Sequence, residues 1–408
     1  MKILHTSDWH LGKRLNMFSR LPEQIEVMEE ICEIAEKENV DVVIVAGDLF
    51  DTFNPSSDAA ELFYTTVKRL SDNGNRAVIA IAGNHDSPDR VEAPQPLARK
   101  TGIIFVGYPD SYVKPFALEN GLSVKTSEPG FIELTLPHCD YPLRLILTPY
   151  ANEYRLKTFL GNENSEEELR ELLQKKWQML ADTYCDAQGV NMLVSHLFVI
   201  PKGETPPPEP EDEKPILHAG GAQAVYTCNI PKQMQYVALG HLHRKQQTAS
   251  SPCPVVYSGS PLAYSFSEAQ QQKKVIVLDV EPIKEVIINE ITLQKGRTLL
   301  KKKLNGTQEA IQWLTANPEA LVEITIATDN YLTGEERKAI NQAHNGIMAI
   351  IPEITNAEIE DSTKAASIDL SKNIEELFIT YFESVKQESP NEEILDLFKE
   401  IVAQGGEE

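Results

Sequence analysis

Apolar and polar positions follow two different periodicities in the first 100 residues. Short apolar runs such as "DVVIVAGD" and "AVIAIAGNHD" are typical of buried strands, and "KILHTSD" at the start has the same character. Between them, "LPEQIEVMEEICEIAEKENV" and "SDAAELFYTTVKRLSDNG" repeat apolar residues at helical spacing. The order strand, helix, strand, helix, strand predicts a buried parallel sheet with right-handed crossovers.

The remainder of the chain predicts two further parts. From 282 to about 370, strand-like runs ("KEVIINEITL", "LVEITIAT", "IMAIIPEI") and helical runs ("GTQEAIQWLTA", "TGEERKAINQAH") favour a small α+β domain. From 371, "NIEELFITYFESV" and "NEEILDLFKEIV" carry apolar stripes and predict a helical tail. The Pro- and Glu-rich segment 202–214 predicts a solvated surface loop. We therefore divide the chain into residues 1–280, 281–370 and 371–408.

Charge and composition limit the classes of function. The formal net charge of −23 argues against a protein that holds nucleic acid by a basic surface alone. The five cysteines have no CxxC spacing, which indicates reduced thiols rather than zinc–thiolate sites. The sequence has no run of about 18 apolar residues and no signal-peptide pattern at its N-terminus. We expect a cytoplasmic protein that does not act at a membrane.

Metal-binding residue types recur at the ends of the predicted strands. The first three strands end in "SDWH", "GDLFD" and "GNHD", and the later runs "MLVSHLF" and "YVALGHLHR" end in histidine. Sites form at the carboxyl ends of strands in open α/β sheets, and Asp, His and Asn together suit manganese, iron or zinc. A two-metal hydrolytic site also needs a ligand that both ions share. The candidate ligands are Asp8, His10, Asp48, Asn84, His196, His241 and His243.

The order of these motifs resembles the signature of the calcineurin-like metallophosphoesterases, which is D-x-H, GD-x-x-D, GNHD, a strand-end His and G-H-x-H. The resemblance implies an α/β sandwich of two mixed β-sheets flanked by helices, with a small α+β capping domain and a C-terminal helical tail.

The same resemblance implies two divalent metal ions, with Mn²⁺ the favoured metal, and assigns a role to each motif residue. One ion would be held by Asp8, His10, Asp48 and His243. Asp48 would bridge to the second ion, which Asn84, His196 and His241 complete. His85 would face the scissile phosphate and protonate or stabilise the leaving oxygen, and Asp51 would hold the His85 ring in place.

The segments around the motifs narrow the resemblance. "HTSDWHLGKRL", "GNHDSPDR" and "VVYSGSPLAYSFSEA" are similar to the nuclease subunits of bacterial complexes that contain an SbcC-type ATPase. This implies exonuclease action on double-stranded DNA and endonuclease action on single strands or hairpins, in DNA repair, recombination and replication. It also implies that two copies of the chain form a homodimer within a heterotetramer. The alternative is a phosphoesterase for nucleotides or other small phosphoesters, which the core motifs alone do not separate from a nuclease. A scaffold with a degenerate site is disfavoured because no ligand position is missing.

Polar residues near and beyond the motifs have simpler interpretations. Asp86 is expected to cap the turn before Pro88, and His5, inside the first strand, is expected to be structural. Lys13 follows the first motif with Arg14, and the pair either contacts DNA phosphates or is solvated. The predicted surface histidines are His138, His218 and His344.

Three segments are candidates for contacts with other molecules. Lys301–Lys303 could form a local basic patch for DNA. Leu62, Phe63 and Val67 could form an apolar face that pairs two copies of the chain, although ordinary burial of the helix against its own sheet would explain part of this stripe. The tail, 371–408, contains ten acidic residues and three lysines, so its apolar stripes predict binding to another protein chain rather than to DNA. The resemblance implies that this other chain is the ATPase partner, and the alternative is that the tail helices fold back on the capping domain.

Overall fold

We describe the fold from a computed structural model of the chain. It describes residues 1–15, 18–158, 165–204, 224–269 and 271–354, together with positions 377–379, 382, 390, 395 and 398 of the tail. Most of the Pro- and Glu-rich segment 202–214 and the predicted surface residue His218 lie outside these residues.

The predicted alternation of strands and helices is present in the first 100 residues and continues beyond them. The described helices are α1 (Leu21–Lys37), α2 (Ser57–Leu70), α3 (Pro88–Glu92), α4 (Gln95–Ala98), α5 (Glu153–Leu156), α6 (Ser165–Tyr184), α7 (Gly306–Ala316) and α8 (Gly334–Ala343). The described strands are β1 (Lys2–Thr6), β2 (Arg14–Leu15), β3 (Phe18–Ser19), β4 (Val42–Ala46), β5 (Ala77–Ile81), β6 (Ile103–Val106), β7 (Phe116–Ala117), β8 (Ser123–Glu128), β9 (Phe131–Thr135), β10 (Leu143–Thr148), β11 (Val190–Ser195), β12 (Val199–Ile200), β13 (Val225–Tyr226), β14 (Tyr236–Leu239), β15 (Gln246–Ala249), β16 (Val255–Tyr257), β17 (Lys274–Asp279), β18 (Ile287–Thr292), β19 (Leu299–Asn305), β20 (Leu321–Thr328) and β21 (Ile347–Ile354).

The first sheet has six strands in the order β18-β17-β1-β4-β5-β6. Strands β1, β4, β5 and β6 pair in parallel, as the sequence predicts for the first three strands. Strand β17 pairs antiparallel with β1, and β18 pairs antiparallel with β17 at the edge of the sheet. The sheet therefore continues past residue 280, where the sequence placed the end of the first domain.

The second sheet has eight strands in the order β15-β16-β14-β11-β10-β9-β8-β7 and is also mixed. Its apolar face packs against the first sheet, and Ile44 and Ile79 of the first sheet share a fully buried cluster with Leu145 and Val194 of the second. Burial of each such side chain contributes about 1.5–3 kcal/mol relative to leaving it exposed. The prediction of two mixed sheets packed as a sandwich is confirmed.

Helices α1 and α2 cover the outer face of the first sheet. In α2 the buried stripe includes Phe63 and Val67, which lie in the protein's own core. The prediction that they form a face for a second copy is therefore wrong, because the helix uses that stripe to pack on its own sheet. Leu62 is half-buried, and Tyr64 on the same helix is exposed.

The C-terminal domain contains the parallel sheet β19-β20-β21, covered by α7 and α8. A small domain of strands and helices is expected at this place and is present, but its strands all pair in parallel and alternate with the helices, so it is an α/β rather than an α+β unit. The linker to it is attached to α1, because Glu30 accepts hydrogen bonds from the backbone N–H groups of Gln294 (2.8 Å) and Lys295 (2.9 Å). The domain is thus anchored to the helix that packs beneath the first motif.

Two predictions for this C-terminal domain are wrong. Lys301 pairs with Glu323 and Lys303 pairs with Glu353, each at 2.6 Å, so two of the three lysines of the expected basic patch are neutralised. His344 is buried rather than on the surface, since its ring bonds the carbonyl of Asn317 at 2.9 Å and accepts from the Gly346 N–H at 2.9 Å.

The described tail positions 377–379, 382, 395 and 398 are helical, in line with the prediction of tail helices. The aromatic ring of Phe378 stacks on that of Phe398, with centroids 4.0 Å apart. The two predicted apolar stripes therefore contact each other at this point. Among the helices that are described, none is both long enough and apolar enough to cross a bilayer.

Candidate metal centre

Loops from both sheets meet at one edge of the sandwich. Asp8 and His10 follow β1, Asp48 follows β4 and Asn84 follows β5, while His196 follows β11 and the pair His241 and His243 follows β14. Backbone hydrogen bonds join the loops of the first sheet, from the Asp8 N–H to the carbonyl of Gly47 and from the His10 N–H to that of Asp48, both at 2.9 Å. The His241 N–H donates to the Asp8 carboxylate at 2.9 Å, which ties the second sheet's loop to the first.

One group of donor atoms is formed by Asp8, His10 and His243. Their donor atoms lie within 4.8 Å of one another. The Nε2 atoms of His10 and His243 are 3.0 Å apart, and His10 Nε2 lies 3.5 Å from Asp48 Oδ2. Four of the seven predicted ligands therefore surround one point.

The second group brings together Asn84, His196 and His241. Asn84 Oδ1 lies 3.0 Å from His196 Nε2 and 3.0 Å from His241 Nδ1. Asp48 Oδ2 is 3.3 Å from His196 Nε2, so the same oxygen faces both groups. This is the position that a bridging carboxylate occupies in a two-metal site.

Hydrogen bonds from the opposite ring nitrogens fix the direction of two of these imidazoles. His196 Nδ1 donates to the carbonyl of Ala46 at 2.7 Å, and His243 Nδ1 donates to Glu268 Oε1 at 3.4 Å. Because these oxygens only accept, Nδ1 carries the proton, and in the neutral ring Nε2 retains its lone pair. Metal-binding histidines are oriented by this kind of contact.

The electrostatics of the cluster favour a cation. Burial by itself lowers the pKa of His196, but Asp48 and Asp8 outweigh burial and raise that pKa to about 9. Burial, together with the neighbouring His196, lowers the pKa of His241 to about 3, so that ring stays neutral. The two buried carboxylates thus attract positive charge, either as a proton on the His196 ring or as a metal ion in its place, whereas the His241 ring is a neutral donor.

The backbone is strained at the same positions. Asp8, Asp48 and His241 have φ values of 53°, 49° and 101°, a region that residues other than glycine seldom adopt. The loops also approach very closely, since a Cβ on Gly83 would lie 2.1 Å from Asp48 Oδ1. This explains why glycine precedes Asn84 in the third motif.

His85 lies beside the two groups and is half-buried. Its backbone N–H donates to Asp48 Oδ1 at 2.9 Å, and its ring centroid is 4.8 Å from that of His10. The ring is held by residue 51, as expected, but through the backbone carbonyl of Asp51, which accepts from His85 Nδ1 at 2.9 Å. The Asp51 carboxylate instead pairs with Lys13 Nζ at 2.7 Å, so Lys13 is not a freely solvated cation.

Asp86 does not cap the following turn, so that prediction is wrong. Its fully buried carboxylate accepts three backbone N–H groups, from Gly83 (2.8 Å), Phe50 (2.9 Å) and Leu49 (3.0 Å). Burial, with the nearby charge of Asp48, raises its pKa to about 6. Asp86 therefore holds the loop after β4 against the loop after β5.

Glu268 is a site residue that motif reasoning missed. Only 3% of its surface is exposed, and it contacts His243, Lys273, the Tyr264 N–H (3.0 Å) and Ser260 Oγ (3.3 Å). Burial raises its pKa, but Lys273 and His243 outweigh burial and lower that pKa to about 2. The only signal in the sequence is an acidic residue in the otherwise small and apolar segment "SPLAYSFSEA".

A second group that motif reasoning missed supports the first motif from below. Gln24 of α1 donates to the carbonyl of His10 at 2.8 Å and to the hydroxyl of Tyr264 at 3.0 Å, and its side-chain carbonyl accepts from the Gly12 N–H at 2.9 Å. His5, by contrast, has the expected structural position, where its ring contacts the Tyr236 hydroxyl (3.1 Å) and the Leu239 carbonyl (3.2 Å).

The chain is similar to a known protein family and to two known proteins over most of its length. Residues 1–245 match the calcineurin-like phosphoesterase family. The SbcD subunit of the SbcCD nuclease from Bacillus subtilis is 36% identical over 100% of this chain and 99% of its own length. The protein of the same name from Staphylococcus epidermidis is 28% identical over 94% of this chain and 92% of its own length. A solved structure from Thermus thermophilus, TT1561, aligns with a TM-score of 0.38 and 12% identity over 71% of this chain and 98% of that one.

The family match covers more than half of the chain and includes all five motifs, while the full-length relative extends through the C-terminal domain and the tail. The chain therefore belongs to the calcineurin-like phosphoesterase family and, within it, to the SbcD proteins.

Proposed function

We propose that the protein is the metal-dependent nuclease subunit of an SbcCD-type complex and hydrolyses phosphodiester bonds in DNA. The names of the two relatives and the match along the whole chain support this proposal. The observation that carries it is the carboxylate of Asp48, whose Oδ2 lies 3.5 Å from His10 and 3.3 Å from His196, beside the half-buried His85.

We assign the two groups of donor atoms to two divalent ions. The ligands of the first would be Asp8, His10, Asp48 and His243, and those of the second Asp48, Asn84, His196 and His241. The donors fit such ions, because imidazole nitrogens and carboxylate or amide oxygens are mixed in both sets and the ring nitrogens of His10 and His243 converge at 3.0 Å. The mixture favours manganese over magnesium or calcium, which prefer oxygen ligands.

When bound, a pair of such ions lowers the pKa of a water and neutralises charge on a phosphate. Asp48 aligns the two groups of ligands and accepts the His85 N–H through its other oxygen at 2.9 Å. His85 Nδ1 donates to the carbonyl of Asp51 at 2.9 Å, so Nε2 is the ring nitrogen that can face the leaving oxygen. The ring would pass a proton from Nε2 only in its doubly protonated form, and it would return to the neutral form when the proton is transferred. The Asp51 carboxylate, with Lys13, would shape the approach to His85.

The acidity of the chain is compatible with a DNA substrate. Two divalent ions add four positive charges to a pocket that contains the carboxylates of Asp8 and Asp48, so the pocket can accept a phosphate. With the net charge at −23, wider affinity for duplex DNA would come from the SbcC-type ATPase partner. We propose that the tail, 371–408, binds that partner and that two copies of each subunit form a heterotetramer in the cytoplasm.

A nuclease assay with a matched small substrate tests the proposal. Purified protein with Mn²⁺ is given a labelled duplex, a hairpin and a chromogenic phosphodiester, with and without the ATPase subunit. We expect hairpin and duplex cleavage that requires the metal, with duplex cleavage stimulated by ATP and the partner. Hydrolysis of the small diester without cleavage of any DNA would favour a small-molecule phosphoesterase, and no hydrolysis of either substrate would refute both.

A further inference from the structure

A cavity of about 320 Å³ opens beside the metal centre, on the side of His243. It is lined by His243, Arg244, Lys245, Ser258, Ser260, Gln271, Gln272, Lys273 and Lys274. Apart from His243 the lining contains no aromatic ring. The composition suits an anion with several oxygen acceptors and does not suit a nucleobase, which would need an aromatic face for stacking.

Two contacts connect the wall of this cavity to the proposed ligands. His243 is both a proposed ligand and part of the cavity wall. Its ring faces His10, and its backbone carbonyl accepts from Lys273 Nζ at 3.0 Å. Elsewhere in the lining, Ser258 Oγ is 2.7 Å from Ser7 Oγ, and Ser7 donates to the Asp8 carboxylate at 2.5 Å. An anion in the cavity would therefore lie next to whatever is bound at the metal centre.

Close backbone contacts join the two loops that form the wall of the cavity. Gly259 has a φ of 77°, and a Cβ at this position would lie 2.7 Å from the backbone nitrogen of Lys245. The Ser260 N–H donates to the carbonyl of His243 at 3.1 Å, so the two loops that form the cavity are joined by main-chain contacts. The backbone positions from which the side chains of these loops project are thus determined by the fold.

The cavity has an excess of positive charge in a strongly acidic protein. Four cationic side chains line it (Arg244, Lys245, Lys273 and Lys274), and two carboxylates pair with them. Glu268 pairs with Lys273, while Glu290 pairs with both Lys245 and Lys274. Four positive and two negative groups leave a net charge of +2. Arg244 is exposed and, within the described part of the chain, its guanidinium has no ion pair or hydrogen bond.

We propose that this cavity binds a phosphate of the nucleic-acid strand next to the phosphate that is cleaved, with Arg244 as its main direct contact. The proposal rests on the proposed nuclease function and adds a subsite to it. Lys245 and Lys274, which share one carboxylate, supply the surrounding positive potential. A guanidinium offers the paired donors that a phosphate accepts, and its contact with the strand carries no sequence preference.

A set of thymidine tetranucleotides tests this subsite. Each has one central phosphodiester, and the linkage on its 5′ side, its 3′ side or both sides is replaced by an uncharged, uncleavable methylphosphonate. Cleavage of the central bond with Mn²⁺ is compared for the wild type, Arg244→Gln and the control Arg337→Gln, which changes an exposed arginine of the C-terminal domain. Bis(p-nitrophenyl) phosphate, which has a single phosphate, is the reference substrate.

We expect the ratio of kcat/KM on the all-phosphate tetranucleotide to that on the reference diester to fall about fivefold to tenfold in Arg244→Gln. For a longer single strand, the slope of log KM against log salt should fall by about one. For the wild type, a methylphosphonate on one of the two flanking linkages should lower the ratio of kcat/KM values by a similar factor. The same methylphosphonate should not lower this ratio further in Arg244→Gln. Arg337→Gln should behave as the wild type.

Three results would overturn the subsite. One is an equal loss on both substrates in Arg244→Gln, which would indicate disturbance of the adjacent His243. Another is an unchanged kcat/KM on both substrates in Arg244→Gln, and the third is a full additional effect of both methylphosphonates in the variant. Failure of the nuclease proposal itself is distinguishable, because the wild type would then cleave no tetranucleotide at all.

Discussion

Glu268→Gln is the substitution that most directly tests how the metal centre is supported. The change keeps the size of the side chain and removes its charge. In the protein, Glu268 accepts from His243 Nδ1 at 3.4 Å and pairs with Lys273, whose side chain is only 10% exposed. The variant therefore weakens the acceptor that orients a proposed ligand and at the same time leaves a nearly buried ammonium group without its carboxylate.

The two consequences have different expected sizes. Loss of a carboxylate that orients a metal-binding histidine weakens metal affinity about 10- to 100-fold, or about 1.4–2.7 kcal/mol. Removal of one partner of a buried ion pair destabilises a protein by about 3 kcal/mol. Lys273 retains the His243 carbonyl and Ser260 Oγ, both at 3.0 Å, so the loss of folding free energy should not exceed this value.

Calorimetric titration with Mn²⁺ and denaturant unfolding of the metal-free protein separate the two consequences. The double variant Glu268→Gln/Lys273→Met is the matched control, because it also removes the stranded ammonium group. We expect it to recover most of the lost stability but not the lost metal affinity. An unchanged Kd for Mn²⁺ in Glu268→Gln would refute the orienting role, and recovery of the affinity in the double variant would assign the effect to Lys273 instead.

Three further predictions concern His85, the proposed ligands and the tail. His85→Ala should keep its metal, measured by elemental analysis, but lose about 10²–10⁴-fold in hydrolysis because a positioned proton donor is removed; loss of bound metal would contradict this role. Asp48→Ala should deplete both ions and Asn84→Ala mainly one, so a structure of Asp48→Ala with two fully occupied ions would contradict the bridge. Deletion of 371–408 should leave metal content and the unfolding midpoint of the remaining protein unchanged while abolishing association with the SbcC-type ATPase, and unchanged co-purification would exclude this role.

Elements with a strong local pattern were predictable from the sequence. The apolar runs of β1, β4 and β5 and the amphipathic spacing of α1 and α2 appear in the structure where the pattern placed them. The runs "LVEITIAT" and "IMAIIPEI" of the C-terminal domain were likewise predicted as strands, and they form β20 and β21. The seven candidate ligands lie at strand ends for a related reason, since the carboxyl ends of parallel neighbours share one edge of each sheet. The packing of the two sheets then brings the two edges together.

Other features were not predictable because they depend on a distant partner. Strand β18 is largely exposed and joins the first sheet only by pairing with β17, so its sequence does not indicate which domain it belongs to. Phe63 and Val67 form a stripe that could face a second molecule or the protein's own sheet equally well. The sequence around Asp86 is typical of a turn, and only the structure shows that the N–H groups of Leu49 and Phe50 donate to its carboxylate.

By itself, the sequence determined the types of element, their order, and the residues with metal-binding chemistry, because periodicity and strand-end position are local properties of the backbone. The tertiary structure decided which oxygen of Asp48 faces both groups of ligands, that the carbonyl rather than the carboxylate of Asp51 holds His85, and that Glu268 supports His243. These contacts join residues that are 25 to 148 positions apart in the chain. Their geometry follows from how the two sheets pack and how their loops meet, and no pattern within a single segment contains that information.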